Sequence, residues 1–295
     1  MTPDQSLGAV LRQVRSAFAQ AGIVNPDLDA RLIVEHYSGT TRTDSIAAPG
    51  RELGPQIIDA IEMAIARRLS GEPVHRILGF REFYGLKLSL SPETLEPRPD
   101  TETLVDAVLL FVIQAIENKD QFDILDLGTG TGAIALALLH EAPKARAVGV
   151  DISDDALETA NQNARQLGLE SRFSTVKSSW FEKIEGRFDV IVSNPPYIRT
   201  EILPTLEREV RDFDPIRALD GGPDGLEAYR VIAADAGQHL VEDGVVAVEI
   251  GFDQAAQVEE IFAKEGWFLA QKHQDLEKYD RILVFLRRKN QVLRP

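Results

Sequence analysis

The chain has 295 residues, with 32 basic and 47 acidic side chains and a net charge of −15. That excess of carboxylates repels a phosphate backbone and excludes non-specific nucleic-acid binding, while the absence of cysteine excludes a disulfide framework and a thiolate metal site. A chain of this length that is 44% hydrophobic is expected to fold as two domains with substantial cores.

No basic segment followed by an apolar one stands at Met1 to Val10. The most apolar window, Val105 to Ile116, is too short to span a bilayer and is broken by Asp106 and Gln114. No targeting or membrane segment is expected, and the composition fits a reducing cytosol. Leu7, Val10, Leu11, Val14 and Phe18 recur at helical spacing. Asn25-Pro26 reads as a cap and first helical position for a second helix ending near Gly39. Ile58, Ile61, Ile65 and Leu69 mark a third, stopped by Ser70-Gly71-Glu72-Pro73. Nothing on these faces names a chemistry, and a packing or partner-docking module is the plain reading.

From Gly79 the pattern changes to Phe80, Phe83, Leu86, Leu88 and Leu90 around Gly85, which predicts a short hairpin or extended linker. Pro92 and Pro97-Arg98-Pro99 hold the following chain extended. Asp100-Thr101-Glu102-Thr103 then offers a helix N-terminus with acids in its first turn. Charge placement alone does not separate that role from one wall of an active site.

Beyond Gln121, strands and helices alternate: strands at Phe122 to Leu127, Ala145 to Val150, Arg172 to Val176, Phe188 to Ser193 and Val245 to Ile250, with helices from about Thr131 and from Asp154 to Leu167. Such alternation implies a parallel sheet covered on both faces. Trp267 to Lys272 and Arg281 to Arg287 are joined by a polar segment without helical pattern, so the last pair is expected to be a hairpin that places an antiparallel strand in the sheet.

Two stretches carry chemistry. Leu125-Asp126-Leu127-Gly128-Thr129-Gly130-Thr131-Gly132 is a strand running into a glycine turn and an apolar helix, where backbone approaches a ligand closely and unpaired N–H groups face it. Asp151 ends the next strand, placed to accept hydrogen bonds from ribose hydroxyls. A nucleoside site follows, though Gly128, Gly130 and Ala133 equally satisfy the dinucleotide form. Trp180 covers an adenine face or packs in the core. The second stretch is Ser193-Asn194-Pro195-Pro196-Tyr197. Two prolines cannot continue a ladder, so the chain leaves its strand at Asn194 and gathers an amide, two freed carbonyls and an aromatic ring at a strand's C-terminal end.

This tetrad is expected to hold a planar nitrogen for methylation. With the Asn194 oxygen and the Pro195 carbonyl accepting its two N–H bonds and Tyr197 stacking on it, the lone pair is aimed and the developing charge met. His36, His75, His140, His239 and His273 are scattered without ligand spacing, and the glycine turn lacks a Walker lysine, so neither a metal site nor NTP hydrolysis is expected.

These residues resemble the S-adenosylmethionine-dependent methyltransferases that modify the glutamine of the Gly-Gly-Gln motif in peptide chain release factors. The likeness runs through Gly79 to Phe83, Pro97 to Glu102, Asp126 to Gly132, Asn194 to Tyr197 and Ala218 to Leu226. It implies an α/β fold with a seven-stranded Rossmann-like sheet whose last strand is antiparallel, in residues 100–295, behind a helical domain in 1–75 that helps recognise the release factor and a hairpin or extended linker in 76–99. It implies S-adenosylmethionine as cofactor, held by Gly128, Thr129, Gly130, Thr131, Gly132, Asp151, Trp180 and Asn194. Asn194, Pro195, Pro196 and Tyr197 would hold the glutamine, with Asn194, Pro195 and Tyr197 catalytic. A monomeric cytoplasmic enzyme without metal, membrane or sequence-specific nucleic-acid contact is expected. The family often has an acid where Ser179 stands, so Ser179 carries no expected contact, and Arg98, Asp100 and Glu102 carry no assigned role. Sister enzymes that methylate a ribosomal protein or DNA adenine share the tetrad. The Pro97 to Glu102 and Ala218 to Leu226 segments look closer to the release-factor branch, the acidic chain disfavours DNA, and a non-catalytic cofactor module is the remaining alternative.

Overall fold

The structure, a computed structural model, describes residues 4–116, 121–275 and 277–287. Contacts divide the chain into two compact units, Met1–Phe80 and Arg81–Pro295. The first contains helices α1 (Leu7–Gln20), α2 (Pro26–Ser38), α3 (Arg42–Ala47), α4 (Pro55–Leu69) and α5 (Val74–Leu78). Leu7, Val14, Phe18, Ile33, Val34 and Ile61 form its interior, which the helical spacing of apolar residues anticipates. Pro26 does open α2, but the Asn25 side chain makes no capping bond, and Gly39 closes the helix at φ 62°. Two short helices escape the periodic reading. In α3 no residue is buried, and the helix starts on a capping box between Thr41 and Asp44. Between α2 and α4 runs a buried ion pair, Arg68 Nε to Asp29 Oδ2 at 2.7 Å.

A hairpin of β1 (Phe80–Phe83) and β2 (Leu86–Ser89) follows. Its two turn residues, Tyr84 and Gly85, both take positive φ, 51° and 73°, the geometry that matches strand twist in a two-residue turn. Phe83, Leu86 and Leu88 join the interior of the second unit. After α6 (Glu102–Ile116) come β3 (Phe122–Leu127), α7 (Ala133–Glu141), β4 (Ala145–Asp151), α8 (Asp154–Gln166), β5 (Phe173–Lys177) and β6 (Phe188–Ser193). Then follow α9 (Arg208–Phe213), α10 (Glu227–Asp235), β7 (Leu240–Glu249), α11 (Ala255–Lys264), β8 (Trp267–Gln274) and β9 (Asp280–Arg287).

The sheet has seven strands in the order β5-β4-β3-β6-β7-β9-β8. All pairs from β5 to β7 are parallel, and β9 runs antiparallel between β7 and β8. The final hairpin therefore inserts the last strand one place in from the edge. Strand order reverses between β3 and β6, and at that switch point open α/β sheets hold ligands beyond the C-terminal strand ends. One sheet face packs α6 and α7 residues such as Leu104, Val108 and Leu136, and the other packs Tyr229, Ile232, Val258 and Phe262 from α10 and α11. β7 begins at Leu240, five residues before the apolar run at Val245. The polar Glu242-Asp243-Gly244 step lies inside the strand, with Asp243 at φ 68° and a register irregularity opposite it between Phe188 and Val190.

Candidate active site

The ladder fixes where the tetrad begins. Ser193 is the last paired residue of β6, opposite Leu127 on one side and Val248 on the other, and its hydroxyl donates to the Leu127 carbonyl at 2.7 Å. The prolines end the pairing there, so Asn194 is the first residue past the sheet. Next to it, β3 turns at Gly128. Gly128 and Gly130 take φ of 71° and 54°, and a Cβ added at either would meet nothing within 4 Å. Conformation, not crowding, demands these glycines, and the space in front of them is a cleft.

That cleft encloses about 1080 Å³ of non-atom space, part of it open solvent. Gly128, Thr129, Gly130 and Thr131 form its floor, with Asp151, Trp180, Asn194 and Pro196 on its walls. Gly132, Pro195 and Tyr197 do not line it. Gly132 caps α7 at φ 82° against Leu136, so the helix begins at Ala133, directly after the glycine turn. Asp151 closes β4, its Oδ2 accepting from Gly130 N at 3.1 Å and its Oδ1 from Ser153 N at 3.0 Å. Burial raises its pKa, with the hydrogen bonds from Ser153 and Gly130 opposing that shift. Trp180 packs on the apolar interior and also lines the cleft. Ser179 lies along the wall as well.

Several wall residues carry no sequence signal of their own. Ile152 is 48% exposed and offers an apolar face directly after Asp151. Pro97, Arg98 and Thr101 close one side, so the turn ahead of α6 is a wall of the cleft as well as a helix start. Arg98 is braced by Asp214, Nη2 to Oδ2 at 2.7 Å. Asp126, beneath the glycine turn, is fully buried; its Oδ2 accepts from Thr129 Oγ1 at 2.7 Å, and desolvation pushes its pKa up to about 7.

The tetrad is held from behind by the Ala218 to Leu226 segment. Ile198 N donates to Leu219 O at 2.9 Å and Gly221 N to Ile198 O at 2.8 Å. A Cβ on Gly221 would stand 2.8 Å from Pro196 O, and one on Gly225 would stand 2.5 Å from Tyr197 O. Gln254, at the head of α11, adds a hydrogen bond from Nε2 to Tyr197 O at 2.9 Å. Tyr197 is half-buried, and desolvation lifts its hydroxyl pKa to about 12, so the ring stays neutral. Among the described residues no group of three or more His, Asp or Glu side chains could hold a metal, and no helix is long and apolar enough to cross a membrane.

Residues 9–79 match the PrmC N-terminal domain family and residues 101–205 the methyltransferase small domain family. A release factor glutamine methyltransferase of Agrobacterium fabrum is 55% identical over 284 residues, covering 96% of this chain and 98% of that protein. One of Caulobacter vibrioides is 42% identical over 90% of each. Among solved structures, a methyltransferase from Pyrococcus furiosus shares the fold with a TM-score of 0.51 at 19% identity, over 75% of this chain and 95% of that one.

Proposed function

The chain belongs to the release factor glutamine methyltransferase family, and from that premise we propose that it transfers a methyl group from S-adenosylmethionine to the side-chain amide nitrogen of the glutamine in the Gly-Gly-Gln motif of peptide chain release factors. The observation that carries this reading is the meeting of two ends in one cleft: the glycine turn with Asp151, and the Asn194 amide. The residues present fit the cofactor. Positive-φ glycines leave open space for a close ligand, Asp151 retains lone pairs beyond its two backbone bonds, and Trp180 and Ile152 supply flat apolar walls. When bound, S-adenosylmethionine supplies an electrophilic methyl group.

The chain's own residues do the rest. An amide nitrogen is a poor nucleophile because its lone pair is delocalised into the carbonyl. The Asn194 side-chain oxygen, at the cleft wall, and the Pro195 carbonyl, beyond the cleft's lining on the side from which a protein substrate enters, accept its two N–H bonds, which orients the lone pair and stabilises the positive charge that grows as the new bond forms. Tyr197 stacks on the planar group. Neither acceptor needs to be a strong base, because the proton becomes acidic only as methylation proceeds. The helical domain, residues 1–75, serves release-factor recognition, residues 76–99 link it to the methyltransferase domain, and the protein acts as a cytoplasmic monomer, in keeping with a substrate drawn from the translation machinery.

Incubation with labelled S-adenosylmethionine and a panel of a release factor, a ribosomal protein and DNA tests the substrate class. Label is expected on the release factor alone; stronger labelling of either other substrate would overturn the assignment.

A further inference from the structure

Asn194 is held by two residues that belong to neither stretch of obvious chemistry. Its Nδ2 donates to Thr101 Oγ1 at 3.1 Å, across 93 residues of chain. Thr101 is buried and in turn hydrogen-bonds Glu249, the last residue of β7, to which the Asn194 side chain also hydrogen-bonds. Glu249 is 2% exposed, its Oε2 has no partner, and its backbone carbonyl is pinned by the Tyr229 hydroxyl at 2.9 Å. The two ends of an asparagine amide have the same shape, and only their hydrogen bonds tell them apart. In its ionised form Glu249 accepts only, and a hydroxyl has one proton. Thr101 therefore gives its proton to Glu249 and has only lone pairs left for Asn194, which must present its NH₂ end.

Resting on the functional reading above, we propose that Glu249 and Thr101 are positioning residues that lock the Asn194 amide with its NH₂ turned back into the protein, leaving Oδ1 as the acceptor for the substrate's N–H. Without the lock, a flipped amide would aim two donors at a donor. Thr101 borders the cleft, but its work is done through Asn194.

The test measures methyl transfer to a release factor for the parent, Thr101→Val, Thr101→Ser, Glu249→Ala, Glu249→Gln, Asn194→Ala and the double variant Thr101→Val/Asn194→Ala, with folding checked by circular dichroism and cofactor affinity by calorimetry. Thr101→Val and Glu249→Ala are expected to lower kcat roughly ten- to hundredfold, with cofactor affinity kept within about twofold. Thr101→Ser, which keeps the hydroxyl, should restore most of the rate. Glu249→Gln, whose amide can donate to Thr101 and release the lock, should lose rate even where Glu249→Ala fails to fold. In the Asn194→Ala background, Thr101→Val should cost nothing further. Folded Thr101→Val or Glu249→Gln protein with parental kcat would overturn the proposal, as would losses that multiply in the double variant. A parent that methylates no release factor would defeat the functional reading and this proposal with it; a parent that does, beside variants that match it, would defeat the positioning role alone.

Discussion

An asparagine at the end of a strand is common, and what distinguishes Asn194 is that its nitrogen is already spent on Thr101 while the cleft lies in front of it. In the proposed reaction the nucleoside end rests on a different residue. Asp151 sits two strands away across β3, with its carboxylate bonded to the glycine turn. The two residues should therefore fail in different ways. Asn194→Ala is expected to leave cofactor affinity near that of the parent and to lower kcat by about two orders of magnitude or more, the loss of one preorganised acceptor at a site of developing charge. Asp151→Ala should instead weaken cofactor binding about tenfold or more, the effect of removing a charged hydrogen-bond acceptor. Calorimetry and steady-state kinetics on both variants check this split, and near-normal turnover by Asn194→Ala would remove the polarising role. Both residues were legible in the sequence because a proline pair and a strand-end acid are local signals. Thr101 and Glu249 were not. A threonine in a helix start and a glutamate ending an apolar strand look unremarkable until the fold joins residues 93 positions apart.

The elements around the switch point read well from sequence where burial is continuous, as in β3, β4 and β6, and less well where local chemistry replaces burial. α3 is held by its capping box and buries nothing, so no periodicity marks it. α5, Val74–Leu78, is too short to show one. β7 hides its first half behind Glu242-Asp243-Gly244, which looks like a turn and is a bulged strand. The Ala218 to Leu226 segment carries a family resemblance in sequence but no local sign of its purpose. Its glycines let it pass close behind the tetrad, and a side chain at Gly225 would collide with the Tyr197 carbonyl at 2.5 Å. Gly225 also sits at φ 75°, so alanine there is strained as well as crowded. Gly225→Ala is expected to destabilise the fold by about 1–3 kcal/mol. By shifting Tyr197, it should also cut turnover while cofactor affinity holds. Thermal melts and calorimetry would show this; parental kcat would mean that the segment does not set the tetrad.

At the scale of the whole molecule, two carboxyl groups of the sheet are almost wholly shut off from solvent, Asp126 at 0% and Glu249 at 2% exposure, and desolvation raises each to about 7 from ordinary values of 3.8 and 4.5. A raised acid contributes stability that is complete below its unfolded pKa and is lost as pH rises through the folded one. Each group therefore favours the fold most below about pH 4 and least above about pH 8. Asp126→Asn and Glu249→Gln should gain on the parent as pH rises from about 5 to about 8, by on the order of a few kcal/mol at most. Denaturant unfolding at both pH values checks the sign; a gap that shrinks as pH rises would contradict it. The overall division of labour was visible in the sequence as a change of period near residue 79, and the cleft as two motifs in register. How those motifs are braced was not, because the braces come from the strand beyond and the turn before. Mass spectrometry of the release factor after reaction is the most direct test of what the assembled site does. The Gly-Gly-Gln peptide is expected to become heavier by one methyl group located on the glutamine side-chain nitrogen, and a Gln→Ala release factor to stay unmodified. A methyl group on any other residue, or equal modification of the Gln→Ala protein, would contradict it.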